Sequence, residues 1–425
     1  MRYLYSALLY CLVPVLLLRL LWRSRLAPAY RRRIAERFGW FDAPAATPEP
    51  TLWVHAVSVG ETLAAAPLIE SLLQRYPQHR MIITTTTPTG SDRVKALFGE
   101  RVFHVYCPWD LPGAVQRFLR RTDPDLLLLM ETELWPNLLH HCQARGCRVI
   151  LANARLSRRS ARGYARVGAL TGAMLQQIDA VACQSAPDGR RFLALGLPAA
   201  ALQLVGNIKF DLNLDQSLRE QAAATGLRIG APERPVLVAA STHEGEDEVI
   251  LNAFAELRPG CPDCLLLLVP RHPERFDKVA QLVQEAGWRM VRRSQDQWPT
   301  AEDDVLLGDT MGELLALLGC ATIAVVGGSF VERGGHNVLE PAAWGVPVVT
   351  GPHVFNFAQV SALLENAGAM MRLPGAQSLG ACLVELLQDA SRRASMGAAG
   401  QRVVAENCGA RDKLLALVQK QLDRK

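Results

Sequence analysis

Two glutamates in the first third of the chain stand where acids do chemistry. A short apolar run at 52–56 passes through His55-Ala56-Val57-Ser58-Val59-Gly60 to Glu61, which opens the amphipathic run 62–75. Glu61 therefore sits at a helix N-terminus, where the helix dipole stabilises a carboxylate. The four-leucine run at 126–130 leads straight into Glu131-Thr132-Glu133-Leu134-Trp135-Pro136-Asn137, which places Glu131 at the same edge of a sheet. Glu61 alone reads as a first-turn acid and Glu133 as a cap for the following helix. Glu131, closest to the apolar run, has no such structural use. Lys209, in Gly206-Asn207-Ile208-Lys209-Phe210-Asp211, falls where two halves of the chain join and reads equally well as a solvated linker lysine.

The second half keeps its polar residues after apolar runs. Residues 236–240 lead to Ser241-Thr242-His243-Glu244-Gly245-Glu246, 265–269 to Pro270-Arg271-His272-Pro273-Glu274-Arg275, and 305–307 to Gly308-Asp309-Thr310-Met311-Gly312-Glu313. The run 323–326 leads to Gly327-Gly328-Ser329-Phe330 and then Gly334-Gly335-His336-Asn337-Val338-Leu339-Glu340-Pro341. Ligands of open parallel sheets bind at the carboxyl ends of strands. Four such loops on one edge offer glycines for close backbone approach, helix N-termini for an anion, and a carboxylate for a ribose. Arg271 brings a planar fork of donors suited to phosphate, and Glu340 can accept from ribose hydroxyls. His243, His272 and His336 lie on separate loops without metal-ligand spacing, and no DxD-type acidic motif follows a strand, so no metal is expected.

These loops need a scaffold, and the pattern supplies one. Beyond the Pro- and Ala-rich stretch 43–50, short apolar runs alternate with longer amphipathic ones, the signature of parallel α/β domains. Strands are predicted at 52–56, 81–85, 102–106, 126–130, 149–152 and 180–183, then at 236–240, 265–269, 305–307, 323–326 and 347–350. The polar, Gly- and Pro-containing segment 206–235 reads as the linker. A length of 425 residues exceeds what one core supports.

Residues 3–21 are apolar except for Ser6 and Arg19, with Pro14 in the middle, near the lower limit for a spanning helix. Arg19, Arg23, Arg25, Arg31, Arg32, Arg33 and Arg37 follow the run as a collar, the wrong order for a removable signal peptide and the right one for holding the rest of the chain in the cytoplasm. The formal net charge of +5 is concentrated there, which argues against a nucleic-acid groove. The ten cysteines lack metal or disulfide spacing, and the one CxxC, Cys261 to Cys264, has no second pair to complete a site.

The motifs HAVSVGE (55–61), METELWPN (130–137), LSRRS (156–160), GNIKFD (206–211), VPRHPER (269–275) and GGSFVERGGHNVLEPAAWGVPVVTGP (327–352) together resemble the 3-deoxy-D-manno-octulosonic acid (Kdo) transferase family over nearly the whole chain. The resemblance implies an α/β GT-B fold: two Rossmann-like domains facing a cleft, plus an N-terminal membrane-associating helix. Applied here, the anchor is 1–22, the acceptor-binding domain 23–208, and the CMP-sugar-binding domain 209–425 with its last helix crossing back. It implies an inverting transfer of Kdo from CMP-Kdo to a lipid A precursor, lipid IVA, at the cytoplasmic face of the inner membrane, in lipopolysaccharide core biosynthesis. Neither cofactor nor nucleic acid takes part. Residue by residue, Glu61 resembles the family's general base, with Glu131 and Lys209 supporting the transition state. Arg271 and His272, then Met311, Gly312 and Glu313, then Asn337, Val338, Leu339 and Glu340 match segments that bind CMP. The rivals are a GT-B transferase using a UDP- or ADP-sugar, and a nonenzymatic nucleotide-binding membrane adaptor.

Overall fold

The computed structural model describes residues 1–25, 27–43, 48–212, 214–231 and 233–423. Residues 44–47 of the Pro- and Ala-rich stretch, and Pro232 of the expected linker, lie outside the described residues. The chain divides into two compact units, Met1–Asp211 with Cys408–Lys425, and Leu212–Asn407. Lys209, placed by the sequence reading at the start of the second domain, thus falls in the first unit.

The first unit holds a seven-stranded sheet of β1 (Thr51–His55), β2 (Arg80–Thr85), β3 (Phe103–Tyr106), β4 (Leu126–Met130), β5 (Arg148–Ala154), β6 (Ala180–Cys183) and β7 (Leu202–Leu204), in the order β3-β2-β1-β4-β5-β6-β7. Every pairing is parallel. Helices cover both faces, so strands read as unbroken apolar runs. Leu126, Leu127, Leu128, Leu129 and Met130 are all fully buried. The helix Ala410–Leu422 belongs here: Leu414, Leu417 and Val418 share a core with Leu68 and Leu72 of the helix Val59–Arg75. Asp211 accepts from the Gly409 and Arg411 amides and fixes where that helix starts.

The second sheet comprises β8 (Val236–Thr242), β9 (Leu265–Pro270), β10 (Met290–Arg292), β11 (Val305–Leu307), β12 (Ile323–Val326), β13 (Val348–Thr350) and β14 (Met370–Arg372), ordered β10-β11-β9-β8-β12-β13-β14. In each sheet the chain reverses its direction of build at one point, between β1 and β4 and between β8 and β12. Those are the crevices where parallel sheets hold ligands. The expected linker is largely structured. The helix Gln216–Arg228 occupies it and buries Ala222, Thr225 and Gly226. Small residues allow close approach there, with Cys320 Sγ lying 3.2 Å from the Ala222 carbonyl, so the apolar periodicity that marks a helix is weak.

The helix Arg2–Arg23 is long and apolar enough to cross a membrane, with a mean hydropathy of 2.1 over its best window. Its inner face is tied to the first unit, Ser6 Oγ donating to Asn137 Oδ1 at 3.0 Å and Arg2 to the same oxygen at 3.1 Å. Tyr3, Leu4, Leu8, Val15, Leu18 and Trp22 remain exposed on the outside. The arginine collar is shorter than its sequence suggests. Arg37 is buried, donating to the Thr86 carbonyl at 2.9 Å and stacking over Tyr106. Arg33 bonds Glu36, Ser91 and the His104 carbonyl. These two arginines order the start of the first unit.

Candidate active site

Glu61 is fixed by the turn that begins its helix. Ser58 is the N-cap; its hydroxyl donates to Glu61 Oε1 at 3.2 Å, while Glu61 Oε2 accepts from the Val57 amide at 2.9 Å. This capping box holds the carboxylate at the end of β1. Burial raises its pKa, and the neighbouring Glu131 charge adds to the shift against the Val57 amide and Ser58 hydroxyl.

Glu131 follows β4, on the other side of the switch point. It adopts a left-handed backbone with φ of +58°, uncommon for a residue with a side chain. Its amide bonds the Ala152 carbonyl at 2.9 Å, and Arg155 grips its carboxylate through Nε at 3.0 Å and Nη2 at 2.8 Å. Local strain of this kind is sustained only where surrounding contacts impose it. Asn153, at φ of +53°, accepts from the Ile208 amide at 3.2 Å and so brings the 206–211 turn to the same edge. Lys209 lies in that turn. Its ammonium is lowered in pKa by burial and by Arg155, with Glu131 and Glu61 opposing. Glu61, Glu131 and Lys209 therefore meet in one electrostatic cluster, with Arg155 as a fourth member that the sequence reading did not single out.

Glu133 is not the helix cap its position suggested. Asp110 caps the helix Pro136–Ala144 from a distant loop, accepting from the Asn137 amide at 3.0 Å and the Leu138 amide at 2.7 Å. Glu133 instead accepts from Trp135 Nε1 at 2.9 Å, and burial together with the charges of Glu61 and Glu131 pushes its pKa up to about 7. Between the ordinary carboxylate range and that value, the unfolded chain releases this proton while the folded chain keeps it, so folding weakens as pH rises through the window. Glu133→Gln should accordingly raise the melting temperature at pH 8 and leave it nearly unchanged at pH 4. Equal shifts at both pH values, read by calorimetry, would show that Glu133 carries no buried charge.

In the second unit, Arg271 sits directly after β9, and its guanidinium has no hydrogen-bond or ion-pair partner among the described residues. Its charge acts on His336, His243 and Glu340, so these groups are close together. His243 Nε2 and His336 Nε2 stand 2.8 Å apart with stacked rings, and His272 meets His243 edge-on. Burial and neighbouring positive charge lower His243 to about 4 and His336 to about 3, so the pair shares a single N–H between neutral rings. Glu340 is raised by burial, and Asn337 Nδ2 donates to it at 3.0 Å. Asn337 Oδ1 also accepts from the Leu339 amide at 3.1 Å, which fixes the turn 337–340 with Val338 buried inside it. Gly312, at φ of +90°, allows the turn after β11, where Glu313 pairs with Arg293 at 2.9 Å; Met311 is exposed.

The amides of the Gly327–Phe330 turn have a partner inside the unit. Glu246, almost fully buried, already occupies them, accepting from Gly328 at 2.6 Å, Ser329 at 3.0 Å, Phe330 at 2.8 Å and His243 at 2.9 Å. An internal carboxylate orders the loop. The glycines still matter for packing: a Cβ on Gly327 would lie 2.5 Å from the Ser241 carbonyl oxygen.

Two parallel, doubly wound units with polar clusters at their switch points define the GT-B fold. A glycosyltransferase from Rickettsia africae shows the same fold, with a TM-score of 0.55 at 12% identity, covering 89% of this chain and 100% of that one. Residues 32–212 match the family described as 3-Deoxy-D-manno-octulosonic-acid transferase (kdotransferase). The 3-deoxy-D-manno-octulosonic acid transferase of Haemophilus influenzae is 43% identical over 424 residues, 100% of this chain and 99% of that protein. The one from Bordetella pertussis is 39% identical over 425 residues, covering 97% and 98%. The chain belongs to the Kdo transferase family.

Proposed function

We propose that the chain transfers Kdo from CMP-Kdo to a lipid A precursor, lipid IVA, with inversion at the anomeric carbon, on the cytoplasmic side of the inner membrane. The observation that carries this reading is the meeting of Glu61, Glu131 and Lys209 at the β1/β4 switch point, with the Glu61 carboxyl raised above its usual range. In the proposed step an acceptor hydroxyl oxygen bonds to the anomeric carbon as the bond from that carbon to the CMP phosphate oxygen breaks. The hydroxyl proton passes to Glu61, and the electron pair leaves with CMP. A carboxylate with a raised pKa is a stronger proton acceptor than an exposed one, which suits Glu61 to the task. Lys209 offers a positive charge to the sugar's own carboxylate, and Glu131, clamped by Arg155, keeps that ammonium in place. Arg271 donates to the phosphate that becomes the leaving group, and Glu340 accepts from the ribose.

Donor choice is tested by melting. A ligand that binds only the folded state stabilises it by mass action, so CMP and CMP-Kdo should raise the melting temperature while UDP-sugars leave it unchanged. Stabilisation by a UDP-sugar and not by CMP would overturn the donor assignment. Membrane attachment is assigned to the helix Arg2–Arg23, whose outer face is exposed and apolar. Deleting residues 1–21 should move the protein from the membrane to the soluble fraction in a flotation assay while CMP still raises its melting temperature. Continued flotation of the shortened chain would place attachment elsewhere.

A further inference from the structure

Beside Glu61 the first unit encloses a cavity of about 440 Å³ that the proposed chemistry does not use. Its apolar lining comes from Leu9 and Leu16 of the helix Arg2–Arg23, and from Trp109, Leu111, Trp135 and Leu138 of the loops and helix behind it. Val57, whose amide holds the Glu61 carboxylate, lines the same space, so the cavity runs up to the cluster at the switch point.

Its polar lining is buried and incompletely satisfied. His55 is fully buried at the end of β1, with Nδ1 held at 2.9 Å from Thr84 Oγ1, yet its Nε2 has no partner among the described residues. Arg37 is 3% exposed and its Nε is likewise unpartnered. Leaving such groups unsatisfied is costly, and native structures rarely do so without reason. Burial lowers His55 to about 4, so its ring is neutral, with one nitrogen to donate and one to accept. A hydroxyl would satisfy either tautomer, and an ester oxygen the one that carries its proton on Nε2. Asp110, also on this wall, is already satisfied by the Asn137 and Leu138 amides that it caps.

The occupant this lining fits has a hydrocarbon body and one oxygen-bearing group. One wall of the cavity is the inner face of a helix whose outer face is exposed and apolar, so the space adjoins the surface through which lipid would arrive. Resting on the proposed function, we propose that the cavity receives one acyl chain of the lipid acceptor, its hydroxyl or ester oxygen meeting His55 and Arg37 and its tail lying under Leu9 and Leu16. The acceptor headgroup is thereby delivered to Glu61 by its own chain, and the N-terminal helix is part of the acceptor site as well as an anchor.

Photolabelling tests this on the full-length protein in liposomes. A tetraacyl lipid A precursor carrying a diazirine in one acyl chain should, on irradiation, mark the peptides containing Trp109–Leu111 and Trp135–Leu138, and excess unlabelled precursor should remove the marks. Leu16→Trp, which fills the cavity from a half-buried position, should cut this labelling at least fivefold without lowering the melting temperature or its response to CMP. Should that variant unfold, Leu9→Trp provides the same test. Labelling confined to Leu4, Leu8, Val15 and Leu18 on the outer face, or unaffected by competitor and variant, would overturn the proposal. So would equal cavity labelling by a diazirine phosphatidylethanolamine, which would make the occupant a bulk lipid. Kdo transfer assayed on the same preparation separates the two ideas, because an inactive parent protein that still labels its cavity contradicts the function and not the chain site.

Discussion

Replacing Glu61 by Gln should lower kcat by about 10²–10⁴-fold, the contribution of a general base, while CMP affinity and melting temperature stay near the parent values. Gln keeps the shape and can still accept the Val57 amide bond that closes the capping box, so the helix retains its start. What it removes is the ability to take a proton. A purely structural Glu61 predicts the opposite pair of results, with stability falling by up to about 1 kcal/mol and turnover almost normal. The pH profile adds a second readout. The base works only when ionised, and its pKa is raised by burial and by Glu131, so the parent's kcat should climb with pH through a range above that of an ordinary carboxylate and then level off. The residual activity of Glu61→Gln should lack that limb. If the variant turns over within a few-fold of the parent, the base lies elsewhere, and Glu131 becomes the next candidate.

Replacing Arg271 by Ala should weaken CMP binding by about 1.5–3 kcal/mol, the value of a hydrogen bond to a charged group, or roughly 10- to 150-fold in Kd. Glu246 occupies the Gly328, Ser329 and Phe330 amides, so those donors do not compensate for the loss. The guanidinium engages no described partner, so its removal should leave the fold intact, and the loss should appear in calorimetry with CMP at an unchanged melting temperature. Glu340→Ala removes the proposed ribose acceptor and should weaken CMP independently. Unchanged affinity in both variants would remove the donor site from this edge of the second sheet.

The parts of this architecture legible in the sequence are those encoded locally. Buried parallel strands such as Leu126–Met130 announce themselves as leucine runs, and an acid placed directly after one must lie at the sheet's carboxyl edge, which is why Glu61 and Glu131 could be singled out. The strands β7, β10 and β14 were not anticipated. Each has three residues at or toward a sheet edge and carries polar or exposed side chains, such as Gln203, Arg292 and Arg372. The remaining site residues acquire their roles through distant contacts. Arg155 holds an acid 24 positions away, Asp110 caps a helix 27 positions on, and Glu246 orders a turn 82 positions on. Only the placement of Arg155 after a strand offered a clue. Arg33 and Arg37 read as a membrane collar because composition does not show that the chain folds them inward.

The most direct test of the account is the mass of the acceptor after reaction. Purified full-length protein incubated with CMP-Kdo and tetraacyl lipid A precursor, without added metal, should convert the precursor to species heavier by whole Kdo residues and release CMP in equal number. An acceptor mass unchanged by the parent protein, or a sugar transferred from a UDP donor in place of CMP-Kdo, would contradict it.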